Sequence, residues 1–92
     1  SYSLDRSLWM AWQFDLPEKG EGLVQAFRRD QSVYETARFR LKGLDPDARY
    51  VVTHLDSSRQ QTIGGRELME TGLSVAIPEQ PGDTVITYAV LR

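Results

Sequence analysis

Short segments of alternating apolar and polar residues, separated by closely spaced turns, constrain the fold of this chain most strongly. The run LWMAWQFD at residues 8–15 places Met10, Trp12 and Phe14 on one side of a strand. Trp9 lies on the opposite side. Such period-two alternation is typical of a strand with one buried side. The chain is therefore predicted to be built from strands.

Further segments continue this pattern, namely residues 22–29, 34–41, 49–56, 73–77 and 84–91, with a polar stretch leading to a short edge strand that ends near Ile63. Residues 66–71 break the alternation with good helix formers, and Gly72 behind them suits a left-handed C-cap. About seven or eight short strands in a chain of this length indicate an all-β fold. We predict an antiparallel two-sheet β-sandwich with one short helical turn.

The length of the chain bounds its organisation. Its 92 residues predict a single domain, residues 1–92, because single domains commonly hold about 100–150 residues. A strand begins within the first ten residues, as expected of a domain cut from a longer chain. No apolar run approaches the roughly 18 residues of a membrane span, and the first ten residues lack a signal peptide's basic start and apolar core. These features do not determine the cellular compartment, and the cytoplasm is favoured over secretion.

Charge and cysteine content exclude several function classes. Eleven Lys and Arg against thirteen Asp and Glu leave a net charge of −2, which argues against a nucleic-acid or membrane partner. The absence of cysteine excludes disulfides, thiol catalysis and Cys-ligated zinc. The densest positive cluster is Arg28, Arg29, Arg38 and Arg40, on two strands expected to pair as a hairpin. With acidic residues close by in the sequence, we expect these arginines on a solvated sheet face.

Residues able to carry chemistry are few. His54 is the only histidine, and Asp56 is the one partner that the strand pattern places on its side. A catalytic or metal site needs more groups than this pair, so a partly buried or surface histidine is predicted. The carboxylate pairs are Asp45 with Asp47, in a turn around Pro46, and Glu67 with Glu70, on the predicted helical turn. No catalytic, substrate-binding or metal-binding residue is predicted, and no cofactor is expected.

The two tryptophans are the most informative oddity. Exposed aromatic rings can stack against sugars, whereas most large side chains of a small domain fill its core. Trp9 and Trp12 lie on opposite sides of one strand, and both sides of a sandwich strand do not normally meet the core. At least one of them should therefore be exposed, or covered by something outside this chain.

Four segments carry a resemblance to a known family: WMAWQF at 9–14, GLVQAFRR at 22–29, LKGLDPDARY at 41–50 and GRELMETGL at 65–73. In this order and spacing they resemble the C-terminal β-sandwich domain of glycoside hydrolase family 36, the family of bacterial α-galactosidases. The resemblance spans about residues 8–91.

The resemblance implies that catalysis lies elsewhere. In such enzymes a central (β/α)8 barrel holds two catalytic aspartates, and the C-terminal sandwich packs against that barrel. No catalytic or galactose-binding motif of the family can be laid onto this chain, so no site residue is carried over. The implied partner is the catalytic barrel of the same parent chain, with room for oligomer contacts. Trp9 and Trp12 are then the candidates for barrel docking, and Met10 and Phe14 would accompany Trp12.

Three functions follow as hypotheses. The first is a non-catalytic accessory domain of a retaining α-galactosidase that hydrolyses terminal α-linked galactose from oligosaccharides. The second is a stand-alone carbohydrate-binding module that uses an exposed tryptophan. The third is a small protein-binding sandwich unrelated to sugar.

Overall fold

The computed structural model describes residues 9–92 of the chain. These residues form β1 Trp9–Leu16, a 3-10 turn Pro17–Lys19, β2 Glu21–Arg28, β3 Thr36–Phe39, β4 Arg49–His54, β5 Arg59–Gly64, α1 Gly65–Glu70, β6 Leu73–Ala76 and β7 Gly82–Val90. Leu8, which the sequence pattern assigned to the first strand, lies outside the described residues.

The strands form two antiparallel sheets. The larger sheet has five strands in the order β1-β2-β7-β4-β5, and the smaller sheet pairs β3 with β6. Every pair of neighbouring strands is antiparallel. The predicted all-β two-sheet sandwich with one short helix is confirmed.

The first hairpin shows how local sequence fixes register. Pro17 begins a single 3-10 turn, and Gly20 closes it in the left-handed region with φ 65°, which glycine adopts without a Cβ clash. The strands then pair from Leu16 opposite Glu21 to Trp9 opposite Arg28. This register sets the two sides of the whole five-stranded sheet, because side chains alternate strictly along each strand.

The core lies between the two sheets and under α1. We call the side of the five-stranded sheet that meets the core its inner side. The buried cluster consists of Val24, Ala26, Leu41, Leu44, Tyr50, Val52, Leu68, Leu73, Val75, Ile77, Ile86 and Tyr88. Leu68 of α1 is fully buried, and its backbone carbonyl accepts a hydrogen bond from the Leu41 N–H at 3.0 Å. The helix therefore joins the connection after β3 to the core.

The Gly-Leu-Asp-Pro turn before β4 has a structural function. Gly43 has φ 77°, and Leu44 is buried in the core. The Tyr50 hydroxyl accepts a hydrogen bond from the Asp45 N–H at 2.9 Å. Gly65 packs so closely on the Asp45 carbonyl that a Cβ at this position would overlap it. The turn, β4 and the start of α1 are thus held together by residues of the recognised segments.

One strand pairing and one strand length differ from the sequence expectation. β3 pairs with β6 and not with β2, which lies between β1 and β7. The chain crosses to the second layer after β2 because β3 carries Phe39 onto the core. β5 is longer than predicted, since its polar residues 59–62 pair fully with β4. Local alternation does not contain this information, because the partner strand supplies the hydrogen bonds.

Arg28 corrects the expectation of a solvated arginine cluster. It is only 4% exposed and lies on the inner side with Val24 and Ala26. Its guanidinium donates to the carbonyl oxygens of Ile77, Pro78 and Ser32 at 3.0, 2.9 and 2.9 Å. The charge is buried because three carbonyl groups replace its water. Arg28 thereby ties the end of the five-stranded sheet to the loops of the other layer.

Candidate functional site

The side of the five-stranded sheet turned away from the core is unusually apolar. The register places nine apolar side chains there: Met10, Trp12, Phe14, Leu16, Leu23, Phe27, Val51, Val85 and Ala89. We call these nine side chains the outer face. The uncharged polar residues at outward positions of these strands are Gln25, Thr53 and Thr87. The charged ones are Glu21, Asp83 and Arg49, each within two residues of a strand end. A sheet with one solvated side normally alternates apolar with polar residues, so this pattern is typical of a sheet covered on both sides.

The outer face is exposed around Phe14 and Leu16 in the described part of the chain, whereas Met10 is buried. Phe14 and Leu16 are 56% and 47% exposed. Trp12 is partly buried, with its ring edge-on to Phe27 at a centroid distance of 5.5 Å and an interplanar angle of 84°. An exposed apolar patch on one face of a soluble domain commonly marks an interaction site.

A hollow opens at one corner of the outer face. Its volume is about 750 Å³, and the apolar side chains around it include Phe14, Leu16, Leu23 and Ala89. Glu21 lies at its margin. The hollow is therefore a largely apolar depression whose lining includes two acidic residues, Asp15 and Glu21, of which Asp15 is hydrogen-bonded to Tyr88.

The structure separates the two tryptophans predicted as docking or exposed aromatics. Trp9 lies on the inner side, where its ring packs against Phe39 of the small sheet at 6.0 Å. Its indole N–H donates to the Tyr34 carbonyl at 2.9 Å. Trp12 lies on the outer face with Met10 and Phe14, as the alternation indicated. Of the two tryptophans, Trp12 is therefore the one that lies on the side turned away from the core.

A hydrogen-bonded group supports the corner of the sheet from the inner side. The Tyr88 hydroxyl donates to the Asp15 Oδ1 at 2.7 Å, and the Gln13 Nε2 donates to the Tyr88 oxygen at 2.8 Å. Burial, followed by the hydrogen bond to Asp15, raises the pKa of the Tyr88 phenol well above its ordinary value. The phenol therefore stays a proton donor at any physiological pH. Gln13 also exchanges two hydrogen bonds with the Lys42 backbone, so the group links β1 to the turn after β3.

His54 faces the core side of β4 and is buried. Its Nε2 lies 3.3 Å from the Gln61 Nε2. Burial lowers the pKa of this imidazole, the Arg59 charge lowers it further, and the Asp56 carboxylate partly opposes both. A neutral imidazole bonded to a glutamine fits a structural role for His54.

The predicted carboxylate pairs serve local structure. The Asp45 carboxylate accepts a hydrogen bond from the Asp47 N–H at 2.9 Å within the turn. Arg66 lies 3.4 Å from Asp47 and 3.6 Å from Glu70, and all three side chains are largely exposed. Within residues 9–92, no group of three or more His, Asp or Glu side chains is placed to hold a metal ion. Over the same residues, no helix has the length and apolarity needed to cross a bilayer.

Comparisons with known proteins point in one direction. The sequence model of the glycosyl hydrolase family 36 C-terminal domain matches residues 9–87. Nine chains among solved structures match. One is an α-galactosidase from Lactobacillus brevis, with a TM-score of 0.74 and 18% sequence identity, and the alignment covers 97% of this chain and 12% of that one. The chain thus spans about one eighth of the length of that enzyme. A search of curated protein sequences gave no significant match. With 79 of its 92 residues matched, the chain belongs to the family of glycosyl hydrolase family 36 C-terminal domains.

Proposed function

We propose that this chain is the non-catalytic C-terminal accessory domain of an α-galactosidase. The parent enzyme hydrolyses terminal α-linked galactose from oligosaccharides, and its (β/α)8 barrel carries the chemistry. The domain packs against this barrel and stabilises it. Family membership over residues 9–87 supports this function, as does the likeness to one eighth of a solved α-galactosidase.

The observation that carries the docking role is the composition of the outer face. Nine apolar side chains lie on one side of the sheet, where the outward residues of the central strands are otherwise uncharged and the charged ones lie near strand ends. Burying apolar surface contributes about 25 cal/mol for each Å² removed from water. Docking of another domain on this side would therefore bury apolar surface and stabilise the complex. The small sheet offers less apolar surface, because its outward residues are Thr36, Arg38, Ser74 and Ala76.

The non-catalytic role rests on how the candidate residues are used. Asp45 caps its own turn, Tyr88 is held protonated against Asp15, and His54 is buried against Gln61. Each polar group has a partner that explains its position. None of these contacts aligns an acid and a nucleophile across a shared hollow, as glycoside hydrolysis requires.

The test uses the full-length parent enzyme with Trp12→Ala. We expect lower residual α-galactosidase activity after heating, because the variant removes a large apolar side chain from the interface. Activity before heating should stay near the wild-type value. Tyr34→Ala is the matched control, since Tyr34 is an aromatic residue that is 71% exposed away from the outer face. Equal heat resistance of the two variants contradicts the docking role, and a wild-type enzyme without α-galactosidase activity contradicts the proposed reaction.

A carbohydrate-binding module is the second candidate, favoured by the partly buried Trp12 and the exposed Phe14 on one side of β1. Sugar platforms present flat ring faces, whereas Trp12 meets Phe27 edge to face. Titration of the 92-residue chain with galactose and raffinose at millimolar concentration, followed by NMR, decides between the two. Saturable shifts at Trp12 and Phe14 favour the binding module, and an unchanged spectrum of the folded domain favours docking.

A further inference from the structure

The corner hollow has a pre-built shape. Its rim includes Phe14 and Leu16 of the edge strand β1 and Leu23 of β2, with Ala89 of β7 beside them. The two rim residues of β1 are 56% and 47% exposed, so apolar side chains surround an open space. The volume of about 750 Å³ is large enough to receive a bulky side chain.

The wall of the hollow is fixed from the inner side. Gly22 leaves room for the Tyr88 hydroxyl, because a Cβ at this position would overlap both that oxygen and the Phe14 carbonyl. The same hydroxyl donates to the Asp15 Oδ1 at 2.7 Å and accepts from the Gln13 Nε2 at 2.8 Å. These two hydrogen bonds and the close approach at Gly22 join β1, β2 and β7 at the corner. A preorganised apolar recess of this kind is where interface energy concentrates, since little ordering is needed on binding.

We propose that this hollow receives an apolar side chain from a helix on the outside of the catalytic barrel of the same chain. The inference rests on the proposed function and adds which part of the outer face is the centre of the interface. A (β/α)8 barrel presents an outer ring of helices, and a helix packed on a sheet face is one of the standard layer arrangements. The partner is therefore an amphipathic helix that presents one large apolar residue.

Two observations favour the same chain over other occupants. The solved α-galactosidase is about eight times as long as the matched region, and the matching family is a C-terminal domain, so most of such an enzyme precedes this domain. Glu21 at the margin adds an electrostatic requirement, because a carboxylate at a rim favours an opposite charge on its partner. We therefore expect a Lys or Arg on the partner helix near the apolar residue.

The experiment fills the hollow and compares it with an equivalent site. Ala89→Trp adds an indole at an exposed position beside the hollow, and Ala76→Trp adds the same group at an exposed position of β6. Both variants are made in the full-length enzyme. The readouts are the rate at which a protease releases this domain and the residual activity after heating. For Ala89→Trp we expect release to be about tenfold faster, the change that corresponds to 1.4 kcal/mol, whereas Ala76→Trp should match the wild type.

A second variant guards against a folding defect of the bulky substitution. Leu16→Asp places a charge at the rim, and Leu16 is 47% exposed and outside the core cluster. It should also accelerate release. If neither Ala89→Trp nor Leu16→Asp differs from Ala76→Trp, the hollow is not the seat of the helix, and the inference is wrong even where Trp12→Ala upholds docking.

Two remaining outcomes separate this inference from the proposed function. A wild-type enzyme that cleaves no α-galactoside overturns the proposed reaction, and the protease readout still judges the hollow. Sedimentation velocity reports on the alternative occupant, a second copy of this chain. A dimer that Ala89→Trp converts to monomers without faster domain release overturns the catalytic-domain assignment.

Discussion

The two sides of the five-stranded sheet are both apolar, and they differ in what covers them. On the inner side, Ala26, Val52 and Ile86 are fully buried beneath the small sheet and α1. On the outer face, Phe14 and Leu16 remain 56% and 47% exposed within the described residues. The five-stranded sheet therefore has the composition of a middle layer. The small sheet and α1 cover its inner side, and no element within the described residues covers its outer face.

The small sheet provides the internal reference. Its inward residues Leu73 and Val75 are buried, whereas its outward residues Arg38 and Ser74 are exposed. This is the alternation expected of a strand with one solvated side. Both sheets therefore follow the same rule on the inside, and only the five-stranded sheet departs from it on the outside. The departure is local to one surface, which is why it is informative about a partner.

The largest expected effect is the loss of stability when a residue on the inner side of β7 is truncated, compared with its neighbour on the outer face. Ile86→Ala should reduce the free energy of unfolding of the 92-residue chain by about 2–5 kcal/mol, because Ile86 is fully buried and a cavity remains. Val85→Ala, the adjacent residue on the outer face, should cost about 1 kcal/mol or less. Urea unfolding measures both. Equal losses would mean that the two sides are equally covered.

The sides of β1 and β7 could be predicted from sequence because alternation is a local property. In the run around Trp12, successive side chains point to opposite sides of the strand, whichever strand it pairs with. The partner of β3 could not be predicted in this way, since 33 residues separate the end of β3 from the start of β6. β5 was underestimated because residues 59–62 are polar, and their strand conformation comes from hydrogen bonds to β4.

At Arg28, the strand alternation and the charge of the side chain favoured different environments, and the sequence prediction followed the charge. Arg28 lies on the same side of the strand as Val24 and Ala26, both of which are apolar. Its charge suggested solvent, because isolated buried charges are costly. Two of the three carbonyl groups that receive its guanidinium, those of Ile77 and Pro78, lie 49 and 50 residues away, and sequence alone does not bring them to Arg28. The third, that of Ser32, lies four residues away. The alternation of residues 8–15 indicated that Trp12 and Trp9 lie on opposite sides of β1, whereas the hollow is formed by three strands whose pairing the sequence does not contain.

The next effect tests the polar anchor of the inner side. Arg28→Met should cost about 2–3 kcal/mol of unfolding free energy, because three carbonyl groups lose a charged donor. Arg40→Met, at an exposed position in the connection after β3, should change stability by less than about 0.5 kcal/mol. Chemical denaturation of the two variants under identical conditions gives the difference. A loss shared by both would show that general charge, and not the anchor, is responsible.

A smaller effect concerns the junction between β5 and α1. Gly65→Ala should cost about 1–3 kcal/mol, because its Cβ would overlap the Asp45 carbonyl and force the backbone to move. Gly64→Ala is the matched control: Gly64 has φ −67°, and no atom lies within 4 Å of a Cβ there. The free energy of unfolding of the Gly64→Ala variant should differ from that of the wild type by less than about 0.5 kcal/mol. Differential scanning calorimetry compares the two, and similar melting temperatures would contradict the close approach.

The smallest effect is a pH dependence that originates on the inner side. Burial and the Arg59 charge lower the pKa of His54 below its ordinary value of 6.5, with Asp56 partly opposing them. The unfolded chain therefore binds the proton more readily than the folded chain, and stability must fall as protons bind. This contribution is fully present above pH 6.5, decreases as the pH falls through the folded-state pKa, and then levels off.

His54→Gln isolates this contribution, because His54 is the only histidine and ordinary Asp, Glu and Lys groups titrate outside the interval from about pH 5 to 8. We expect the wild-type chain to lose melting temperature between pH 8 and pH 5 by more than the variant does. Glutamine keeps a polar side chain near Gln61, so the comparison changes the titration and preserves a hydrogen-bonding group. Parallel profiles would show that His54 is solvated in the folded chain. A steeper wild-type profile would establish that the covered inner side, and not the accessible outer face, sets the response of the domain to pH.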